Sequence, residues 1–142
     1  MEITVKSQVH PTEDAGKVRE AIENLLGKGT FDIEDHENFS EIVVPVITQE
    51  GLNFIRRLIQ EKRIIDAVRV RLLGNFNDLE LTTGLDFDKQ AAFIGKIRLI
   101  DNTVESPPLG AVEIRMTFKD LPQFREFLDW FSPRTKDGKV FG

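Results

Sequence analysis

Hydrophobic and polar positions along this chain change period several times, and each change marks an element. Ile3, Val5 and Val9 alternate with polar residues and predict a first strand, with Ser7 interrupting its apolar side. Pro11-Thr12-Glu13-Asp14 reads as a helix start: Thr12 can cap, and the acids sit where the helix dipole favours negative charge. Val18, Ala21, Ile22 and Leu25 then recur on one helical face, and Gly27 is placed to stop the helix. Phe31 and Ile33 predict a short strand. Glu41 to Thr48, rich in β-branched residues, predicts a better one, in which Pro45 calls for a bulge or an edge position.

From Leu52 to Leu73 the period is helical. Phe54, Leu58, Ile65, Val68 and Leu72 form one apolar stripe, and Arg56, Arg63 and Arg71 project from the opposite side. A break near Lys62-Arg63 would divide this stretch into two helices. Asn77 to Thr83 predicts a further strand, Asp86 to Ala92 a single helical turn, and Phe93 to Ile100 an extended segment. Residues 102–110, with Pro107-Pro108, form a loop that reverses the chain. Val112, Ile114, Met116 and Phe118 alternate through Ala111 to Phe118, the clearest half-buried strand. The last helix starts at Asp120, with Gln123 as its capping-box partner, and buries Phe124, Phe127, Leu128 and Phe131 before Ser132-Pro133 ends it. In the polar tail from Arg134 to Gly142, Val140 and Phe141 are the residues able to pin the chain down. One-sided strands, with helices that bury one stripe each, predict a single α+β domain over residues 1–142. Its expected architecture is a two-layer sandwich, a mainly antiparallel sheet with helices packed on one face.

Composition narrows the function. The chain has no cysteine, which excludes disulfides, thiolate metal sites and cysteine nucleophiles. No apolar run approaches the roughly 20 residues a bilayer requires, and the first ten residues lack the apolar block of a signal peptide. A cytoplasmic protein without a membrane partner is expected. With 19 Lys and Arg against 24 Asp and Glu, the net charge of −5 means that any anionic partner must be met by a local patch. The stretch from Leu52 to Leu73 supplies one: Arg56, Arg57, Lys62, Arg63, Arg69 and Arg71 stand against only Glu61 and Asp66. Such a cluster suits phosphate, which arginine can bind bidentately. It also reads as a solvated helix face paired locally to its acids.

Other candidates are weaker. Asp32 to Glu37, with His36, matches no cation-binding loop or zinc spacing and reads as an acidic solvated turn. Gly27-Lys28-Gly29-Thr30 follows a helix instead of leading into one, so it is a helix stop and not a phosphate loop. Two histidines and no cysteine supply no triad, so no catalytic residue, metal or cofactor is expected. Lys89 and Lys96 flank a small-residue turn in which Gly95 permits close backbone approach, and they could extend a positive patch. The aromatic residues fit core periodicity better than base stacking, which favours recognition of RNA backbone and shape.

Four blocks carry a resemblance: Pro11-Thr12-Glu13-Asp14, Asp88-Lys89-Gln90-Ala91-Ala92-Phe93-Ile94-Gly95-Lys96, Ser106-Pro107-Pro108-Leu109-Gly110 and Asp129-Trp130-Phe131-Ser132-Pro133. In these the chain resembles an archaeal family of uncharacterised proteins with a predicted RNA-binding label, from which the doubled proline departs. The resemblance implies a ribosomal-protein-like or double-stranded-RNA-binding-like fold, homodimers and no catalytic residues. The expectation is therefore a non-enzymatic, homodimeric protein that holds structured RNA through Arg56, Arg57, Lys62, Arg63, Arg69 and Arg71, with Lys89 and Lys96 in support. The alternative is a homodimeric protein-interaction or assembly module without a nucleic-acid ligand. In it the cationic stripe meets an acidic protein surface, such as the Asp32 to Glu41 region of a second copy.

Overall fold

A computed structural model describes residues 1–29, 31–101, 103–136 and 139–140. Five antiparallel strands form one open sheet in the order β2-β3-β1-β5-β4, with β1 at Glu2–Val9, β2 at Asp32–Asp35, β3 at Ser40–Ile47, β4 at Thr82–Asp88 and β5 at Ala111–Thr117. Five helices pack on it: α1 (Ala15–Leu26), α2 (Asn53–Glu61), α3 (Ile65–Gly74), α4 (Lys89–Phe93) and α5 (Leu121–Phe131). Strands β6 (Thr135–Lys136) and β7 (Lys139–Val140) make a separate small hairpin, which gives part of the tail a partner. Phe141, also expected to dock, lies outside the described residues. This is the expected two-layer α+β architecture. Among the described residues, no helix is long and apolar enough to cross a membrane.

Strand register explains the one-sided patterns. Val5 lies between Val44 and Ile114, and Ile114 pairs onward with Leu85. Ser7 lies between Ile42 and Val112, followed by Phe87. These rows face the helices and are continuous with Val18, Ile22, Ile55, Ile59, Val68, Leu72, Phe127 and Phe131 in one buried core. Ser7, the polar interruption, is fully buried and donates to Ala111 O at 2.9 Å, so burial costs it no unmade hydrogen bond. The bulge expected at Pro45 is present: β1–β3 register slips by one residue between the Ile3–Ile47 and Val5–Val44 pairs.

Several local expectations need correction. Asp14, not Thr12, caps α1, accepting from Gly16 N at 2.8 Å. Residues 77–81 form a tight turn and not a strand; Asn77 Oδ1 accepts from Leu79 N and Glu80 N, and Leu79 stands 91% exposed. The strand begins only at Thr82 and takes up Asp86 and Phe87, so the short helix starts later, with Asp88 as its cap. The segment after α4 is a turn at Gly95 (φ 80°) whose extended part makes one bridge, Phe87 to Leu99. In α2 the stripe is displaced by one residue: Ile55 and Ile59 are buried while Phe54 is exposed. The cause is the preceding 3₁₀ turn, Gln49–Leu52, which buries Leu52 and sets the phase three residues ahead of Ile55.

Candidate nucleic-acid interface

The basic stretch does break at the expected place, and the break has a defined geometry. Lys62 caps α2, and Arg63 follows in the left-handed conformation (φ 57°). Arg63 N donates to Gln60 O at 3.1 Å and Ile64 N to Ile59 O at 3.0 Å, the paired bonds of a Schellman motif. Ile64 turns inward against the core, and α3 starts immediately after it. Lys62 and Arg63 stand at the corner so formed and Arg57 on α2 between one and two turns before it, all exposed and with no carboxylate partner among the described residues.

The other three cations are committed inside the fold. Arg56 Nε donates to Trp130 O at 2.8 Å, and its guanidinium lies 4.7 Å from the Trp130 ring centroid. Arg69 donates to Ser132 O at 2.9 Å and to Asp129 at 3.0 Å. Both thereby satisfy carbonyls at the C-terminal end of α5, where the helix dipole attracts positive charge. Arg71, expected on the outer side, instead reaches Asp101 at 3.0 Å and is half-buried. These three hold α2, α3 and the 101 loop in place.

Lys89 is also not a surface residue. It is 3% exposed, and its ammonium donates to Gln8 O and to Glu13 Oε1, each at 2.8 Å. Glu13 Oε1 accepts His10 N as well, so the pair stitches α4 to the β1–α1 connection. Two resemblance blocks thus meet, and their lysine has a structural role. Lys96 is exposed and without a carboxylate partner among the described residues, but it lies on the α4 turn and is not part of the α2–α3 corner.

Charge on the opposite side of the sandwich decides the direction of approach. By register, the sheet face away from the helices carries Glu2, Asp32, Glu34, Glu41, Asp86, Asp88 and Glu113 against Lys6 and Arg115, with Asp86 buried and Arg98 bound to Asp88 at 3.1 Å. Arg115 itself is bound to Asp86 at 2.7 Å and to Glu113 at 3.0 Å. Carboxylate oxygens of Glu34 and Glu41 and a ring nitrogen of His36 lie within 4.8 Å of one another there. His36 Nε2 is hydrogen-bonded to Glu41 at 2.8 Å. The excess of acids makes that face unfavourable to a polyanion.

The helical side holds a second feature that periodicity did not bring out. Arg69, Arg125 and Arg134 surround a groove between α3 and α5, floored by Leu73, Phe76 and Leu121. Arg125 was legible only as an outward position opposite Phe124 and Phe127. Its convergence with Arg134 and α3 depends on how the helices pack.

An α+β sandwich with an acidic sheet face and an unpaired cationic corner on its helical layer defines a candidate RNA-binding module. A family model described as RNA binding matches residues 2–118. The chain is 36% identical over 137 residues to a UPF0201 protein of Sulfurisphaera tokodaii, covering 96% of this chain and 90% of that one. It superposes on the crystal structure of the UPF0201 protein from Methanococcus jannaschii with a TM-score of 0.81 at 26% identity, both chains fully covered. A chain of Archaeoglobus fulgidus named UPF0200/UPF0201 is 31% identical over 140 residues, 98% of this chain but 39% of its own length. The protein belongs to the archaeal UPF0201 family.

Proposed function

We propose that this protein is a non-enzymatic, cytoplasmic RNA-binding module that holds RNA backbone at the α2–α3 corner. The observation that carries the reading is the set of exposed cations, Arg57, Lys62 and Arg63, without a carboxylate partner among the described residues in a chain of net charge −5. Arg56, Arg69 and Arg71 are bound within the fold, whereas no contact among the described residues accounts for the other three. The RNA-binding family model supports the same reading. Three phosphate contacts would give log affinity a salt slope of about −2 to −3. The test is a titration with structured RNA at several salt concentrations, using the protein and its Arg57→Glu/Arg63→Glu variant. Absence of binding at low salt, or equal binding by the variant, overturns the proposal.

A second reading, an assembly module, is favoured by the Archaeoglobus fulgidus chain, in which the matching region is joined to another region within one polypeptide. Under it the protein is a homodimer, or the partner of a separate protein, and the corner meets an acidic protein surface. Light scattering on the isolated protein, and its mixture with RNA, separate the two: a dimer indifferent to RNA supports assembly alone.

A further inference from the structure

The groove between α3 and α5 is a second, independent feature of the helical layer. It encloses about 410 Å³, within the range of about 300–1,000 Å³ typical of small-ligand sites. Its floor is apolar and partly open to solvent: Leu73 is 50% and Leu121 39% exposed, and Phe76 stacks flat on Phe124 with ring centroids 4.0 Å apart. Its rim carries three arginines against one acid, Asp129. That acid is already bound by Arg69, so Arg125 and Arg134 are left exposed, with no carboxylate partner among the described residues. An occupant must therefore join an apolar, flat body to a strong anion.

We infer that this groove binds a nucleoside phosphate, the base against Leu73, Leu121 and Phe76 and the phosphate between Arg125 and Arg134. Guanidinium groups match phosphate oxygens in a fork geometry and also lie flat on bases. A purely apolar ligand would leave the two arginines unanswered, and inorganic phosphate would leave the floor uncovered. The same chemistry has two sources, a free nucleotide or one unstacked nucleotide of an RNA strand. The second source rests on the RNA reading given above, because α3 connects the two places: Arg63 precedes it, and Arg69 and Leu73 lie on it.

The experiment titrates the full chain with AMP, UMP, inorganic phosphate and a short single-stranded RNA, followed by calorimetry and by the methyl NMR signals of Leu73 and Leu121. Mononucleotides are expected to shift both methyl groups and to bind at least about tenfold more tightly than phosphate alone. Leu73→Glu, which places a carboxylate at an exposed position on the floor, and Arg125→Ala/Arg134→Ala are each expected to weaken binding about tenfold or more. Thermal unfolding of both variants at the wild-type temperature shows that the loss is local. Arg57→Glu/Arg63→Glu should leave mononucleotide binding unchanged. Mononucleotides that bind no better than phosphate, or that ignore both groove variants, overturn the inference. If mononucleotides bind but RNA does not, the site is for free nucleotides and the RNA reading fails by itself. If RNA binds through the corner alone, with no methyl shifts in the groove, the groove fails and the RNA reading stands.

Discussion

Arg63 joins fold and proposed function in one residue, and replacing it separates the two. It occupies the position after the α2 cap with φ 57°, a conformation that costs a side chain bearing a Cβ about 1 kcal/mol or more. Glycine is the residue preferred there, and the two hydrogen bonds closing the motif, from Arg63 N and Ile64 N, are backbone bonds that survive the change. The gain is partly offset because glycine has more freedom to lose on folding. Arg63→Gly is therefore expected to stabilise the protein by about 0.5–1 kcal/mol, which raises the melting temperature by about 1–4 °C for a chain of this size. The same change removes one of three proposed phosphate contacts, so the salt slope of RNA affinity should flatten by about 0.7–0.9. Melting curves and RNA titrations on one preparation measure both. A variant that is more stable and binds RNA more weakly fits. A destabilised variant would show that the side chain supports the fold, and an unaltered salt slope would remove Arg63 from the interface.

Breaking the Glu13–Lys89 pair by Lys89→Met leaves a poorly solvated carboxylate and should cost about 2–4 kcal/mol in urea unfolding, with Glu13→Leu in addition recovering most of it; a loss below about 1 kcal/mol would mean that the pair is solvated. At Gly84 a Cβ would lie 2.6 Å from Ile114 O and 2.8 Å from the Arg115 guanidinium, so Gly84→Ala must move backbone or break the Arg115–Asp86 contact, at about 1–3 kcal/mol by the same measurement. Asp101 is held below its ordinary pKa by the Thr103 hydroxyl and backbone N–H and then by Arg71, and Glu105 is held below its own by Arg98 and the Asp101 N–H. Depressed folded values mean that this support is complete above the ordinary carboxylate range and is lost as pH falls through the folded values. The amide signals of Ile100 and Val104 should therefore titrate only below the ordinary carboxylate range, and a transition within or above that range would contradict the contacts.

What could be read from the chain follows from how local each cause is. The β1 and β5 alternations were legible because one face of each strand is buried and the other is not. The β4 strand was misplaced because Leu85, Asp86 and Phe87 are buried in succession, between the sheet core and the returning 98–100 segment, and so show no alternation. The break at Lys62-Arg63 was readable from charge and pattern. The phase of α2 before it was not, because the 3₁₀ turn sets the face of that helix, whereas Ile65, Val68 and Leu72 of α3 are buried as the stripe predicts. The fate of each cation was the least legible. Arg56 and Arg69 bind residues 74 and 63 positions away, and Lys89 binds Glu13 from 76 positions away. Sequence spacing carries no trace of such partners.

That loss of half the cationic cluster sharpens the functional reading. A uniformly solvated basic face would leave all six cations exposed, each balanced in passing by nearby acids, and would single out none. The fold instead sorts them: arginines needed at the end of α5 and at the 101 loop turn inward, and Arg57, Lys62 and Arg63 remain together at one corner. The sheet face adds the complementary half, with seven acids by register against Lys6, Arg115 and the Arg98 that binds Asp88. The molecule is thus electrically polarised across its two layers, although its total charge is negative. Such a distribution orients an approaching polyanion before any contact forms, and its influence extends only about one Debye length, about 8 Å at physiological salt. An RNA encounter governed by this field must slow as salt rises even where the final contacts persist, whereas a corner kept only for solubility would show no such dependence.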